Sequence, residues 1–147
     1  MKLSHDPELQ SFRQKIRYYF ADEYPQYILA KTATGASLTP AEVGRAEMAL
    51  GAKGWLASAW PEEYGGPGWS IEEQYIFDEE LEKAGAPTVT PMGVIYVGPV
   101  IFTFGTGAQK DKWLPGLRDG SVGWAQGYSE PEAGSDLASL QFSAVRD

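Results

Sequence analysis

Apolar positions recur at helical spacing through most of the chain, and only near its C-terminal end does the pattern change to alternation. Leu9, Phe12, Ile16, Tyr19 and Phe20 mark one face of a first helix, opened by Asp6-Pro7 and running to about Ala21. The stretch 24–37 holds Pro25 and Gly35 with little periodicity and reads as a loop or broken turn. Thr39-Pro40-Ala41-Glu42 is a capping box, so a second helix follows to about Lys53, with Gly54 as its left-handed stop. Ser70-Ile71-Glu72-Glu73 is another box and opens a third helix through Tyr75, Phe77, Leu81 and Ala84 to Gly85.

The run from Met92 to Phe104 is apolar all round, and periodicity alone leaves buried helix and buried strand both open. Pro99 would damage a central strand, which favours helix. Thr106 and Gln109 form a third box, starting a short polar helix that Pro115 is expected to end at about Leu114. Gly116 and Gly120 then bracket a turn. An apolar, aromatic run follows from Val122 to Tyr128, and Leu140, Phe142 and Ala144 alternate with Gln141, Ser143 and Val145 as in a half-buried strand. The fold class expected is mainly α: an N-terminal all-helical bundle over 1–120, then the first strands of a truncated β-domain over 121–147. Two strands without further partners are marginal in water, so the chain reads as cut off inside that β-domain.

Composition narrows the function. At 147 residues, 43% hydrophobic and 22% charged, the chain suits one soluble domain. A net charge of −8 argues against a nucleic-acid surface. The absence of cysteine removes disulfides and thiolate chemistry. His5 is the only histidine, which leaves no triad and no zinc site. The N-terminus lacks the layout of a secretion signal, and the most apolar run is too short to span a bilayer, so a cytoplasmic location is expected. Gly65-Gly66-Pro67-Gly68 lacks the phosphate-loop lysine and the dinucleotide glycine spacing and reads as a plain turn. Trp60 and Tyr64 beside it read as packing anchors. The carboxylates of Glu72, Glu73, Asp78, Glu79, Glu80 and Glu82 read as a solvated helix face.

Chemistry concentrates between Val122 and Val145, where a loop of one proline, small residues and hydroxyls would let backbone amides approach a ligand. Tyr128-Ser129-Glu130-Pro131 with Ala133-Gly134-Ser135-Asp136 resembles the signature of the acyl-CoA dehydrogenase family. Trp60-Pro61-Glu62-Glu63-Tyr64-Gly65-Gly66-Pro67-Gly68 is similar to the family's loop between two N-terminal helices, and Phe104 to Lys110 with Leu114-Pro115 resembles a third block. The resemblance covers essentially the whole chain but only the first part of a family member.

The resemblance implies an FAD-dependent α,β-dehydrogenation of an acyl-CoA thioester, with electrons passed to an electron-transfer flavoprotein or similar acceptor. It implies helix for 92–104. It carries Gln126, Tyr128 and Ser129 to the flavin ring and Ser135 to the acyl-CoA ligand. The family's base is a downstream glutamate that no residue here matches, so no catalytic residue is assigned and the fragment alone is expected to be inactive. Glu130 and Glu132 lie in the signature, but a carboxylate in a solvated loop lacks the raised pKa a base needs. Glu132 stands where many members have glycine, and Gln126-Gly127 departs from the usual small or aliphatic residues. A homo- or hetero-oligomer is expected of the complete protein. Other readings are a non-catalytic assembly module that pairs with a complete subunit, and a relative that acts as an acyl-CoA oxidase or flavin monooxygenase.

Overall fold

A computed structural model describes residues 6–143 and 145. His5 and Ala144, which the sequence reading invoked, lie outside them. The chain is mainly α-helical, as its patterning predicts. Helix α1 (Pro7–Tyr18) starts where Asp6 accepts from the amide of Glu8 at 2.8 Å, and it runs on into a widened π-turn, Tyr19–Glu23. Helix α2 (Gln26–Ala33) replaces the loop expected over 24–37. Its eight residues are too few for periodicity to show, and tertiary contacts hold it instead. Ile28 is fully buried, and the Gln26 carboxamide donates to the carbonyls of Phe20 and Tyr24, both at 2.9 Å.

Helices α3 (Pro40–Ala52), α4 (Ile71–Lys83) and α6 (Gly107–Asp119) each begin at the capping box the sequence marks, at Thr39, Ser70 and Thr106. Lys31 also bonds Glu42, the acidic member of the first box, at 2.7 and 2.9 Å. That lysine, with the amide and hydroxyl of Thr39, lowers the Glu42 carboxyl to about 2. The run from Met92 is helical throughout: a π-helical segment (Met92–Val97) continues directly as α5 (Gly98–Phe104).

Two expectations are corrected. Helix α6 continues through Pro115 to Asp119 and stops at Gly120, which has φ 77°. Leu114 and Leu117 are buried and hold the helix on the core, while Pro115 and Asp111 are exposed, so the carbonyl that loses its amide partner lies on the wet side. The strands expected over 122–128 and from 138 onward do not form among the described residues. The one β-bridge there joins Glu130 to Ala133 within a single turn. Ladder formation needs neighbouring strands, and these segments have none to pair with.

The core is aromatic. Tyr19, Phe20, Tyr24, Trp55, Trp69 and Phe77 pack edge-on or tilted, with Tyr19 and Trp55 4.8 Å apart at the ring centroids. Helix α1 is fastened to α4 through Glu80, which is only 3% exposed and accepts from Arg13 and Arg17. Glu80 therefore leaves the solvated acidic face on which the sequence reading placed it. Helices α3 and α6 touch at Gly51, where an added Cβ would fall 2.3 Å from the Asp119 carbonyl oxygen, so only glycine permits that approach. No helix among the described residues is long and apolar enough to cross a membrane.

Tyr24 carries a buried hydroxyl without a hydrogen-bond partner, and burial pushes its pKa upward. Removing an unsatisfied buried polar group is favourable, so Tyr24→Phe should stabilise the chain by about 0.5–1 kcal/mol in urea unfolding. A lowered midpoint would show that the hydroxyl is bonded in solution.

Candidate functional site

The signature segment leaves the bundle at Gly120 and runs without regular structure. Among the described residues, no backbone hydrogen bond engages the amides of 123–129. Glu130-Pro131-Glu132-Ala133 then forms a tight turn with Pro131 at its second position, closed by Ala133 N to Glu130 O at 3.1 Å and Glu130 N to Ala133 O at 2.9 Å. The Glu130 carboxylate accepts from the amides of Gln141 at 3.0 Å and Phe142 at 2.7 Å, folding the following segment back onto the turn. Its role here is to hold backbone. Leu137–Ser139 is one 3₁₀ turn, with the Ser139 hydroxyl donating to the Asp136 carbonyl.

Gln126, Tyr128 and Ser129 lie on the arm that enters this turn, and Ser135 on the arm that leaves it; all four are exposed. The structure thus gathers them on one hairpin-like bend. Ser129 lines neither of the two hollows that reach the start of its segment. What the bend offers is a row of free donors: unbonded amides, the hydroxyls of Tyr128 and Ser129, and the Gln126 carboxamide. Such a row suits the polar edge of a planar ring held alongside it.

Upstream of the bend, Trp124 meets the helical run 92–104 at a shared hollow. The widened first turn of that run is held by Trp60, whose indole Nε1 donates to the Val94 carbonyl at 2.6 Å. At Gly98 the Trp60 ring lies on the backbone itself, where an added Cβ would fall 2.1 Å from Cζ2. Trp60 is thereby a packing anchor, and Tyr64 stacks on Phe102 at 4.8 Å and 7°. The opposite side of the run is bare and apolar. Ile95, Tyr96 and Val100 are exposed, and Phe104 is 81% exposed. A π-turn beside such a face is a common mark of a functional site. The sequence reading assigned no site residue here; the all-round apolar run was the available signal, and which side faces outward depends on Trp60.

Two hollows meet at Trp124. The smaller, about 330 Å³, lies between α5 and α6 and is lined by Val100, Phe104 and Trp113. The larger, about 720 Å³, lies between α3, residues 89–94 and residues 120–124. Its volume is in the range of small-molecule pockets. Ser121 lies at its edge, where its hydroxyl and amide bond Asp119 and lower that carboxyl. Among the described residues, no cluster of three side chains could hold a metal ion.

A family model described as "Acyl-CoA dehydrogenase, N-terminal domain" matches residues 6–121. The chain is 40% identical over 149 residues to acyl-CoA dehydrogenase FadE26 of Mycobacterium tuberculosis, covering 100% of this chain and 37% of that protein. It is 37% identical over 145 residues to acyl-CoA dehydrogenase IpdE1 of the same organism, covering 95% and 38%. Among solved structures it is similar to the ChsE4-ChsE5 complex from Mycobacterium tuberculosis, with a TM-score of 0.74 and 38% identity over 100% of this chain and 36% of that one. It is likewise similar to the Tcur3481-Tcur3483 steroid ACAD, with a TM-score of 0.72 and 40% identity over 100% and 38%. The chain spans little more than a third of the length of these relatives.

Proposed function

The chain belongs to the acyl-CoA dehydrogenase family, and from that premise we propose that it is the N-terminal part of an FAD-dependent enzyme that oxidises the α,β carbon–carbon bond of an acyl-CoA thioester. The observations that carry this reading are the row of unbonded donors over 123–129 and the bare apolar face of 92–104, which Trp124 joins at the hollow lined by Val100 and Phe104. The donor chemistry fits a flavin, whose ring edge presents oxygens and nitrogens that accept hydrogen bonds. When bound, FAD supplies the hydride acceptor. Gln126, Tyr128 and Ser129 hold and orient the ring edge, and Ser135 contacts the acyl-CoA ligand. Ile95, Tyr96, Val100 and Phe104 form an apolar wall that keeps water from the acyl group, which strengthens electrostatic interactions inside the site.

Glu130 is occupied by the amides of Gln141 and Phe142, which supports assigning it no role in proton transfer. The resemblance assigns that role to a glutamate in the C-terminal helical region of a complete family member. We take 1–120 as the helical domain and 121–147 as the entry to a β-domain. A two-component complex is proposed for the whole protein, because two of its structural relatives are such complexes. An electron-transfer flavoprotein or similar protein is the proposed acceptor.

The test is the longer protein: purified, it should carry flavin absorbance and reduce an artificial electron acceptor with a CoA thioester as donor. Neither bound flavin nor turnover would sink the reading. Within that protein, Ser129→Ala should weaken FAD binding by about 1–3 kcal/mol, the cost of leaving a buried acceptor unpaired. Unchanged affinity in an equilibrium titration would remove Ser129 from the ring.

A further inference from the structure

The Glu130 carboxylate does more than brace the turn it opens. Between Asp136 and Leu140 the described backbone bonds only within itself, Ser139 N to Asp136 O at 3.2 Å and Leu140 N to Leu137 O at 3.4 Å. Glu130 then takes the next two amides, Oε2 accepting from Gln141 at 3.0 Å and Oε1 from Phe142 at 2.7 Å. Two successive amides present two donors, and a carboxylate meets them with two acceptor oxygens and no donor to oppose them. A carboxamide has one. Charge-assisted bonds of this kind are also stronger than neutral ones. The amide and carbonyl of the same residue pair with Ala133, which is 2% exposed. Glu130 therefore closes two loops at once: its backbone closes the turn that ends at Ala133, and its side chain closes a larger loop, from 130 to 142, in which Ser135 lies. Among the described residues, no other hydrogen bond ties the segment beyond Ala133 to the bend.

We propose that Glu130 is a positioning residue: by closing the larger loop it holds the bend in the form that presents the neighbouring Ser129 hydroxyl to the flavin edge. What Ser129 touches rests on the dehydrogenase reading above; the closure itself does not. The physical reason is entropic. A free segment must be ordered when a ligand binds, and that ordering is subtracted from affinity, whereas a loop closed beforehand has already lost the freedom. The amides of 123–129 have no backbone bonds of their own, so the placement of Ser129 depends on the residue that follows it. The two carboxylate oxygens are occupied by amides, and Glu130 acts through Ser129.

Amide hydrogen exchange on the 147-residue chain tests the closure. After correction for intrinsic rates, the amides of Gln141 and Phe142 should exchange at least about tenfold more slowly than those of 123–129. Glu130→Ala should abolish that protection at both, and Glu130→Gln, with one acceptor oxygen, should keep it at one. Equal exchange in the parent chain, or protection that survives in Glu130→Ala, would overturn the proposal. A double-mutant cycle in the longer protein tests the positioning. Glu130→Ala should weaken FAD binding about tenfold, the order expected for losing bonds to a charged group. In that background Ser129→Ala should cost less than about threefold more, because a hydroxyl no longer held in place has little left to lose. A glutamate that only supports the fold would leave the Ser129→Ala loss at its full size, and that additive result would also overturn the proposal. Protected amides in a protein that binds no FAD would overturn it through failure of the dehydrogenase reading, whereas unprotected amides beside bound FAD would overturn it with that reading intact.

Discussion

Trp60→Ala should destabilise the chain by about 3–5 kcal/mol in denaturant unfolding, the range for removing a large buried aromatic. Trp60 is 5% exposed, packs edge-on to Phe102 at 5.6 Å, and fills the space that Gly98 leaves open. The indole also satisfies the Val94 carbonyl in a segment whose helical bonding is already widened. Trp60→Phe separates the two contributions. It keeps most of the packing and removes the donor, so it should cost about 1–2 kcal/mol, less than the alanine variant. Equal losses for both variants would mean that the hydrogen bond dominates. Because Trp60 decides which side of 92–104 faces outward, the alanine variant of the longer protein should also lose affinity for acyl-CoA.

The second large effect is expected at Glu80. Its carboxylate is buried at the seam between α1 and α4, and Arg13, Arg17 and Lys83 converge on it. Breaking a buried ionic cluster by removing one partner costs several kcal/mol, because the other charges stay partly desolvated. Arg17 is more than half exposed and recovers much of its hydration, so the expected cost of Glu80→Ala is about 2–3 kcal/mol. The pH dependence follows from the same contacts. Burial by itself raises the Glu80 carboxyl, but the bonds from Arg17 and Arg13 together hold it below the usual carboxylate range. A carboxyl lowered in the folded state contributes stability above its unfolded pKa of about 4.3 and loses it as pH falls through the folded value. The parent chain should therefore lose stability on acidification below about pH 4.3, and Glu80→Ala should lose less over the same interval. Parallel stability curves for the two proteins would show that Glu80 does not carry the effect.

The sequence made the long helices legible wherever a local rule acts alone. Asp6-Pro7 and the boxes at Thr39, Ser70 and Thr106 sit at the starts of α1, α3, α4 and α6, because a cap bonds to amides two or three residues away and needs nothing from the rest of the fold. The helix over 92–104 was legible once Pro99 and the resemblance were weighed together. Helix α2 was not, because eight residues give no readable period. The continuation of α6 past Pro115 was hidden for a related reason: a proline's local penalty of about 3 kcal/mol can be outweighed by the burial of Leu114 and Leu117, which proline itself does not reveal.

At the site, the motif pointed to the bend, and the bend exists: Gln126, Tyr128, Ser129 and Ser135 stand on its two arms. The apolar face at Ile95, Tyr96, Val100 and Phe104 was missed. Its significance lies in what it does not touch, and a sequence does not show that.

By itself, then, the sequence determined the helical class, the cap positions, the acidic surface and the family, since each depends on residue identity or on neighbours within four positions. Only the tertiary structure decided that Glu80 is a buried clasp rather than a surface charge, that α6 continues through Pro115, and that Trp60 turns one side of an all-apolar run outward. Those outcomes are set by which distant surfaces meet, and burial against a distant surface outweighs the local preference of any single residue.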